Sequence, residues 1–206
     1  LKIDFSYGPY WIGKLPMAIY ASGIPPFTLT RWEQYKVLYY ELGLEKLIRE
    51  AYAKQNIFYV AAMPTNNAVM LSKFPVHKAA DLKGKKFRAT GLYAEVLNEA
   101  GASATYFPWG EIYGALEKGT IDGVIAGPLS SQADSGFHEP TKYLLETPIT
   151  PCDAWSLHVN MDAWKALPDD LKQLLVESAS YAADLFTGSY FVHDVQWRKK
   201  IVAEHG

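Results

Sequence analysis

Between Lys85 and Gly127 the chain switches repeatedly between strand-like and helix-like hydrophobic periods, with almost nothing left over for connections. KKFRA (85–89) reads as a strand, LYAEVLNEAGA (92–102) as a helix and ATYF (104–107) as a second strand. GEIYGALEKG (110–119) reads as a second helix and IDGVIA (121–126) as a third strand. The first helix should bury a face of Leu92, Val96, Leu97 and Ala100, the second Ile112, Ala115 and Leu116. Gly101 and Gly119 sit where a helix closes in a left-handed residue. Such an alternation predicts a βαβαβ unit with a parallel sheet and right-handed crossovers, so the fold class is α/β.

The flanks extend this pattern. Ile3–Ser6 reads as a strand leaving through Tyr7-Gly8-Pro9-Tyr10, and residues 15–27 as a short helix ended by Gly and Pro. Residues 30–56 read as helical with a break at Gly43, Thr30 being the expected N-cap and Glu33 its capping-box partner. Residues 57–63, 68–73 and 155–160 read as strands, and 140–147 as either a short helix or a strand. From Pro168-Asp169-Asp170 the pattern is helical almost to the end, where the two acids suit the positive end of a helix dipole. Gly188 is a candidate bend. Both ends read as cut, with a strand pattern opening at Leu1 and a helix stop at Gly206.

Composition narrows the function classes. A net charge of −2 over 206 residues gives no field for nucleic acid. One cysteine, Cys152, excludes a disulfide framework within the chain and a multi-cysteine zinc site. No apolar run reaches transmembrane length. The five histidines are scattered, and no phosphate loop or dinucleotide fingerprint follows a strand. GASAT (101–105) lacks the last glycine of a nucleophile elbow and follows a helix. His158, inside a strand, reads as a core or pocket polar group, and Asp122 as a strand-entry residue. No catalytic set assembles, which favours a binding protein over an enzyme.

Open α/β sheets bind ligands beyond the carboxyl ends of their strands. Here those ends carry Arg88-Ala89-Thr90, Phe107-Pro108-Trp109, Ala126-Gly127-Pro128 and Tyr7 to Trp11. A guanidinium amid aromatic rings suits an organic anion, held through paired hydrogen bonds and covered by apolar surface. An arginine ending a strand also commonly serves as one half of a structural ion pair, and aromatic rings there as rim packing. Position alone leaves both readings of Arg88, Trp109, Tyr7 and Tyr10 open.

The fifty residues DLKGKKFRATGLYAEVLNEAGASATYFPWGEIYGALEKGTIDGVIAGPLS (81–130) resemble the solute-binding proteins of TRAP transporters, of the DctP type. The shared pattern is a D-L-K-G-x-K-x-R strand, a helix ending in G-A-x, and a P-x-x-E-x-Y-x-A-L helix ending in a D-G turn. IDFSYGPY, WSLHVNMDAWKALPDDLKQLL and the closing helix extend the resemblance over nearly the whole chain. It implies a two-lobe periplasmic-binding-protein fold with a long C-terminal helix spanning both lobes, truncated at both ends. Lobe I would be 1–66 plus 153–194, lacking its N-terminal strands, and lobe II 67–152 plus 195–206.

The function implied is periplasmic capture of an organic acid, closure of the lobes around it, and delivery to TRAP membrane subunits, without membrane insertion or nucleic-acid binding. The alternatives are a small-molecule enzyme or a ligand sensor on the same scaffold. The family's carboxylate-binding arginine falls on Arg88, its stacking aromatic on Trp109 and its polar contact on Ala126-Gly127, which offers only backbone. Asn67 stands where some members carry a second arginine, which argues against a dianionic ligand. Tyr7, Tyr10, Trp11 and Trp155, with Gly91 after the arginine strand, complete the ligand-binding set and favour a monocarboxylate, including an aromatic one. No cofactor and no metal is expected, because AGPLSSQADSGFHEP (126–140) lacks the acidic, tryptophan-rich set used by metal-assisted 2-oxo-acid binders.

Overall fold

A computed structural model describes residues 2–6, 14–21, 29, 31–147, 149–150 and 153–205. The chain divides into two compact units, Leu1–Asn66 with Thr150–Phe191, and Asn67–Ile149 with Val192–Gly206.

Unit 1 holds a three-stranded antiparallel sheet in the order β1 (Ile3–Ser6), β8 (Ala154–Asn160), β2 (Ile57–Pro64). Helices α1 (Ala18–Ala21), α2 (Trp32–Lys36) and α3 (Leu44–Ala53) precede β2, and α7 (Met161–Lys165) follows β8. α3 buries Leu44, Ile48 and Tyr52, one stripe at four-residue spacing. They pack with Tyr35, Tyr39 and Tyr59 in a tyrosine-rich core. Buried phenols need partners: Tyr59 donates to the Ala21 carbonyl at 2.9 Å and Tyr35 to the Tyr20 carbonyl at 3.1 Å. The β2–β8 register slips between Tyr59 and Ala61. A bulge leaves ladder groups unpaired, and Arg49 meets two of them, donating to the carbonyls of Tyr59 at 3.0 Å and Val60 at 3.1 Å.

The helix over 30–56 is broken at Gly43, whose φ of +83° closes a π-helical turn (Val37–Glu41) and admits α3. Its start differs from expectation. Arg31 is the N-cap, and the residue that reaches back is Gln34, whose Oε1 accepts the Arg31 N–H at 3.1 Å, not Glu33. Thr30 lies outside the described residues.

Unit 2 is a five-stranded mixed sheet. Its order is β5 (Ser103–Thr105), β4 (Lys86–Arg88), β6 (Gly123–Ile125), β3 (Met70–Ser72), β7 (Tyr143–Leu145). β5, β4 and β6 run parallel, and β3 is antiparallel to both β6 and β7. The parallel part is the βαβαβ unit, with α4 (Gly91–Glu99) and α5 (Ile112–Glu117) as crossovers. Residues 140–147 resolve in favour of a strand. α5 buries Ile112, Ala115 and Leu116 as its spacing predicts. α4 follows its expected face in part: Leu97 is buried and Ala100 packs on the core as expected, but Val96 is exposed and Tyr93 is buried instead. Counting aliphatic residues alone placed the stripe one residue off, because the Tyr93 ring supplies more apolar area than Val96. α6 (Leu129–Asp134), which the sequence reading left unassigned, follows β6 directly.

Gly123 allows β6 to sit between its neighbours. A Cβ there would lie 2.4 Å from the Phe87 ring and 2.8 Å from the Leu71 carbonyl oxygen. Since one neighbour is backbone, the sheet itself must shift. Gly123→Ala is expected to cost about 1–3 kcal/mol by overpacking, read from the urea midpoint; Gly114→Ala, which meets open space, is the matched control.

The last helix, α8, runs unbroken from Asp169 to His205. Its first part belongs to unit 1 and residues 192–205 to unit 2. In unit 2, Asp194 accepts the Ser130 N–H at 2.7 Å, and the Trp197 indole donates to Asp134 at 2.7 Å.

Candidate functional site

The carboxyl edge of unit 2's parallel strands gathers the end of β4, the loop after β5 and the loop after β6. Arg88 is the last residue of β4 and is only 3% exposed. Its Nε donates to the Phe107 carbonyl at 3.3 Å, and its guanidinium carbon lies 5.7 Å from the Tyr106 ring centroid. Among the described residues no carboxylate stands within ion-pair distance of it. The carbonyl orients one side of the fork and the ring lies near the guanidinium. Just beyond, Gly91 (φ +55°) opens α4 after the extended Thr90.

Trp109 opens a short 3-10 turn (Trp109–Glu111) and is 42% exposed. Its indole N–H donates to the Ser135 hydroxyl at 2.9 Å, which in turn donates to the Ser131 carbonyl at 3.0 Å. Its ring lies 5.2 Å from that of Phe137. The indole is thus held by α6 and the segment that follows it.

Gly127 takes φ +91° between β6 and α6, a conformation that favours glycine. Its carbonyl accepts from the Val69 N–H at 3.1 Å and from the Gln132 side chain at 2.9 Å. Gln132, fully buried, also donates to the Val69 carbonyl at 3.0 Å. This clamp ties α6 to the loop after β6 and to the segment that enters β3. Sequence reasoning passed over Gln132 and Tyr106. The signal for Gln132 was available, a helix opening straight after Gly127-Pro128; for Tyr106 there was only its place two residues before Pro108.

Asn67 begins unit 2 and is half-buried. Trp155 is half-buried in β8 of unit 1, opposite Met63. Tyr7, Tyr10 and Trp11 lie outside the described residues, as does Cys152. Unit 2 thus groups Arg88 with Phe107 and Tyr106 at the end of β4, and separately holds the half-exposed Trp109 indole on Ser135 and Phe137. Among the described residues no group of three His, Cys, Asp or Glu side chains is placed to hold a metal ion, and no helix is long and apolar enough to cross a membrane.

Residues 9–206 match the family model of the bacterial extracellular solute-binding proteins, family 7, DctP. The chain belongs to this family. A monocarboxylate 2-oxoacid-binding periplasmic protein of Nostoc sp. strain PCC 7120 is 32% identical over 180 residues, 85% of this chain and 48% of that protein. The ectoine-binding periplasmic protein TeaA of Halomonas elongata is 27% identical over 147 residues, 69% of this chain and 42% of TeaA. The crystal structure of a TRAP periplasmic solute-binding protein from Colwellia psychrerythraea, with bound calcium and pyruvate, superposes with a TM-score of 0.84 at 29% identity, covering 96% of this chain and 61% of that one. This DctP-family chain thus spans about half the length of the curated relatives it matches.

Proposed function

We propose that this chain is part of the extracytoplasmic receptor of a TRAP-type transporter, that it captures an organic monocarboxylate, and that it hands this to membrane transport subunits without chemical change. The observation that carries the reading is Arg88. A guanidinium 3% exposed, held by one carbonyl, with no carboxylate partner among the described residues, is costly unless something anionic completes it. A ligand carboxylate does so with two parallel hydrogen bonds. Trp109, two residues after the Phe107 carbonyl that holds Arg88, supplies an apolar face in this reading, and Asn67 of the same unit a further polar contact. Membership of a family of solute-binding proteins supports binding rather than turnover, and the names of the Nostoc and Colwellia relatives support a 2-oxo monocarboxylate as the class to try first.

The Colwellia protein holds calcium with its pyruvate. The two carboxylates of the 126–140 segment here each accept a hydrogen bond, Asp134 from the Trp197 indole and Glu139 from the Tyr113 hydroxyl. The reading therefore rests on Arg88 alone.

A thermal-shift series with 2-oxo acids, aromatic acids and dicarboxylates tests it. A monocarboxylate at a hundred times its dissociation constant should stabilise the protein by about 2.7 kcal/mol. A dicarboxylate or uncharged solute that stabilises more than any monocarboxylate would remove the ligand class proposed.

A further inference from the structure

One loop supplies both groups that, among the described residues, stand against the Arg88 guanidinium. Arg88 pairs in register with Thr105, the last residue of β5, so residues 106 and 107 emerge beside it. Phe107 brings its carbonyl to Nε at 3.3 Å. Pro108 follows, and a residue before proline is confined to extended conformations, which fixes the direction of that carbonyl. Tyr106 brings its ring, 5.7 Å from the guanidinium carbon. The two differ in packing. Phe107 is half-buried against the core of unit 2, whereas Tyr106 is 55% exposed. Arg88 itself, at 3% exposure, shows too little surface for a solute carboxylate to reach its fork. Something must move before an anion can pair with it, and of the two groups Tyr106 is the less packed.

We propose that the Tyr106 ring is a gate on Arg88: it covers the guanidinium in the unliganded chain and swings aside for an anion, which, resting on the receptor reading above, is the carboxylate of the solute. A guanidinium beside an aromatic face is attracted by the ring quadrupole. That attraction replaces part of the hydration that burial removes, so the cation tolerates its site between ligands. It is weaker than two parallel charge-assisted hydrogen bonds from one carboxylate, so a carboxylate displaces the ring. A halide has one acceptor centre and does not match the fork, so the exchange gains it little. The Phe107 carbonyl keeps Nε throughout and leaves the Nη end of the fork for the ligand. Tyr106 thus sets selectivity without becoming a ligand contact, and the covered fraction lowers the apparent affinity in proportion.

Phenylglyoxal modification of the full chain without ligand, read at Arg88 by peptide mass spectrometry, tests the cover directly. Arg198, whose side chain is 52% exposed, is the internal reference. In the wild type Arg88 should react far more slowly than Arg198. Tyr106→Ala, folded by circular dichroism, should speed the reaction at Arg88 at least about 5-fold and leave Arg198 unchanged. Tyr106→Phe keeps the ring and should match the wild type. Stopped-flow mixing with pyruvate then reads the gate itself. Tyr106→Ala should associate at least about 5-fold faster with dissociation unchanged, and so bind more tightly. An Arg88 equally protected in the wild type and Tyr106→Ala overturns the proposal. So does weaker pyruvate binding by Tyr106→Ala through faster dissociation, which would make the ring a wall of the ligand site. An Arg88 unmasked by Tyr106→Ala in a protein that binds no monocarboxylate of the thermal-shift series upholds the cover and removes the receptor reading instead.

Discussion

Arg88→Ala is expected to weaken carboxylate binding by roughly 2–5 kcal/mol, between about 30-fold and a few thousand-fold in dissociation constant. The size follows from burial. At 3% exposure the guanidinium meets a carboxylate away from water, where losing one partner strands the other. Apo stability should fall by much less, about 1–3 kcal/mol, since the side chain makes one charge-assisted bond, to the Phe107 carbonyl. Arg88→Lys separates charge from geometry. It keeps the cation but loses the planar fork and its fit beside Tyr106, so affinity should be intermediate. Isothermal titration on the three proteins decides. Equal affinities across them would return Arg88 to a purely structural role.

A comparable effect on stability is expected from His158 as the pH falls. Its ring stacks on Tyr52 at 5.0 Å, tilts against Tyr59 at 5.6 Å, and pairs in register with Asp4. Burial lowers its pKa from 6.5 to about 4, partly offset by Asp4. Between those values the unfolded chain binds the proton and the folded chain does not. Stability is therefore full above about pH 6.5 and declines as pH drops toward 4. The loss attributable to this one group approaches about 3 kcal/mol. Urea midpoints at neutral pH and at about pH 4.5 should diverge more for the wild type than for His158→Gln. Parallel loss in both proteins would place the acid sensitivity on other groups.

Arg88 stood out in the sequence because a cation at the end of an apolar strand breaks the local pattern, and the structure buries it there. The βαβαβ unit was legible because each element is short, periodic and closed by glycine. The helix that carries Gln132 was signalled by Gly127-Pro128, but the burial of that residue was not, since it is set by the carbonyls of Val69 and Gly127 that reach it through the fold. The α4 face was misplaced by one residue because a tyrosine is both polar and the largest apolar body on that helix. The N-cap at Arg31 was missed for a similar reason. Thr30-x-x-Glu33 fits the rule, but the backbone turns one residue later and uses Gln34. Local propensity names a motif; packing fixes its register.

The connectivity of unit 1 bears on how the chain acquires its structure. β8, the middle strand of its sheet, is separated from β2 by all of unit 2's strands. β3 to β7 can find their partners within one contiguous stretch. β2 must wait with its ladder groups unpaired until roughly 100 more residues have left the ribosome, on the order of ten seconds at ordinary rates of synthesis. During that interval β2 offers an edge to any other extended chain. In the folded sheet Arg49 caps the carbonyls of Tyr59 and Val60 at the bulge, so that stretch of the strand stays closed to a foreign chain.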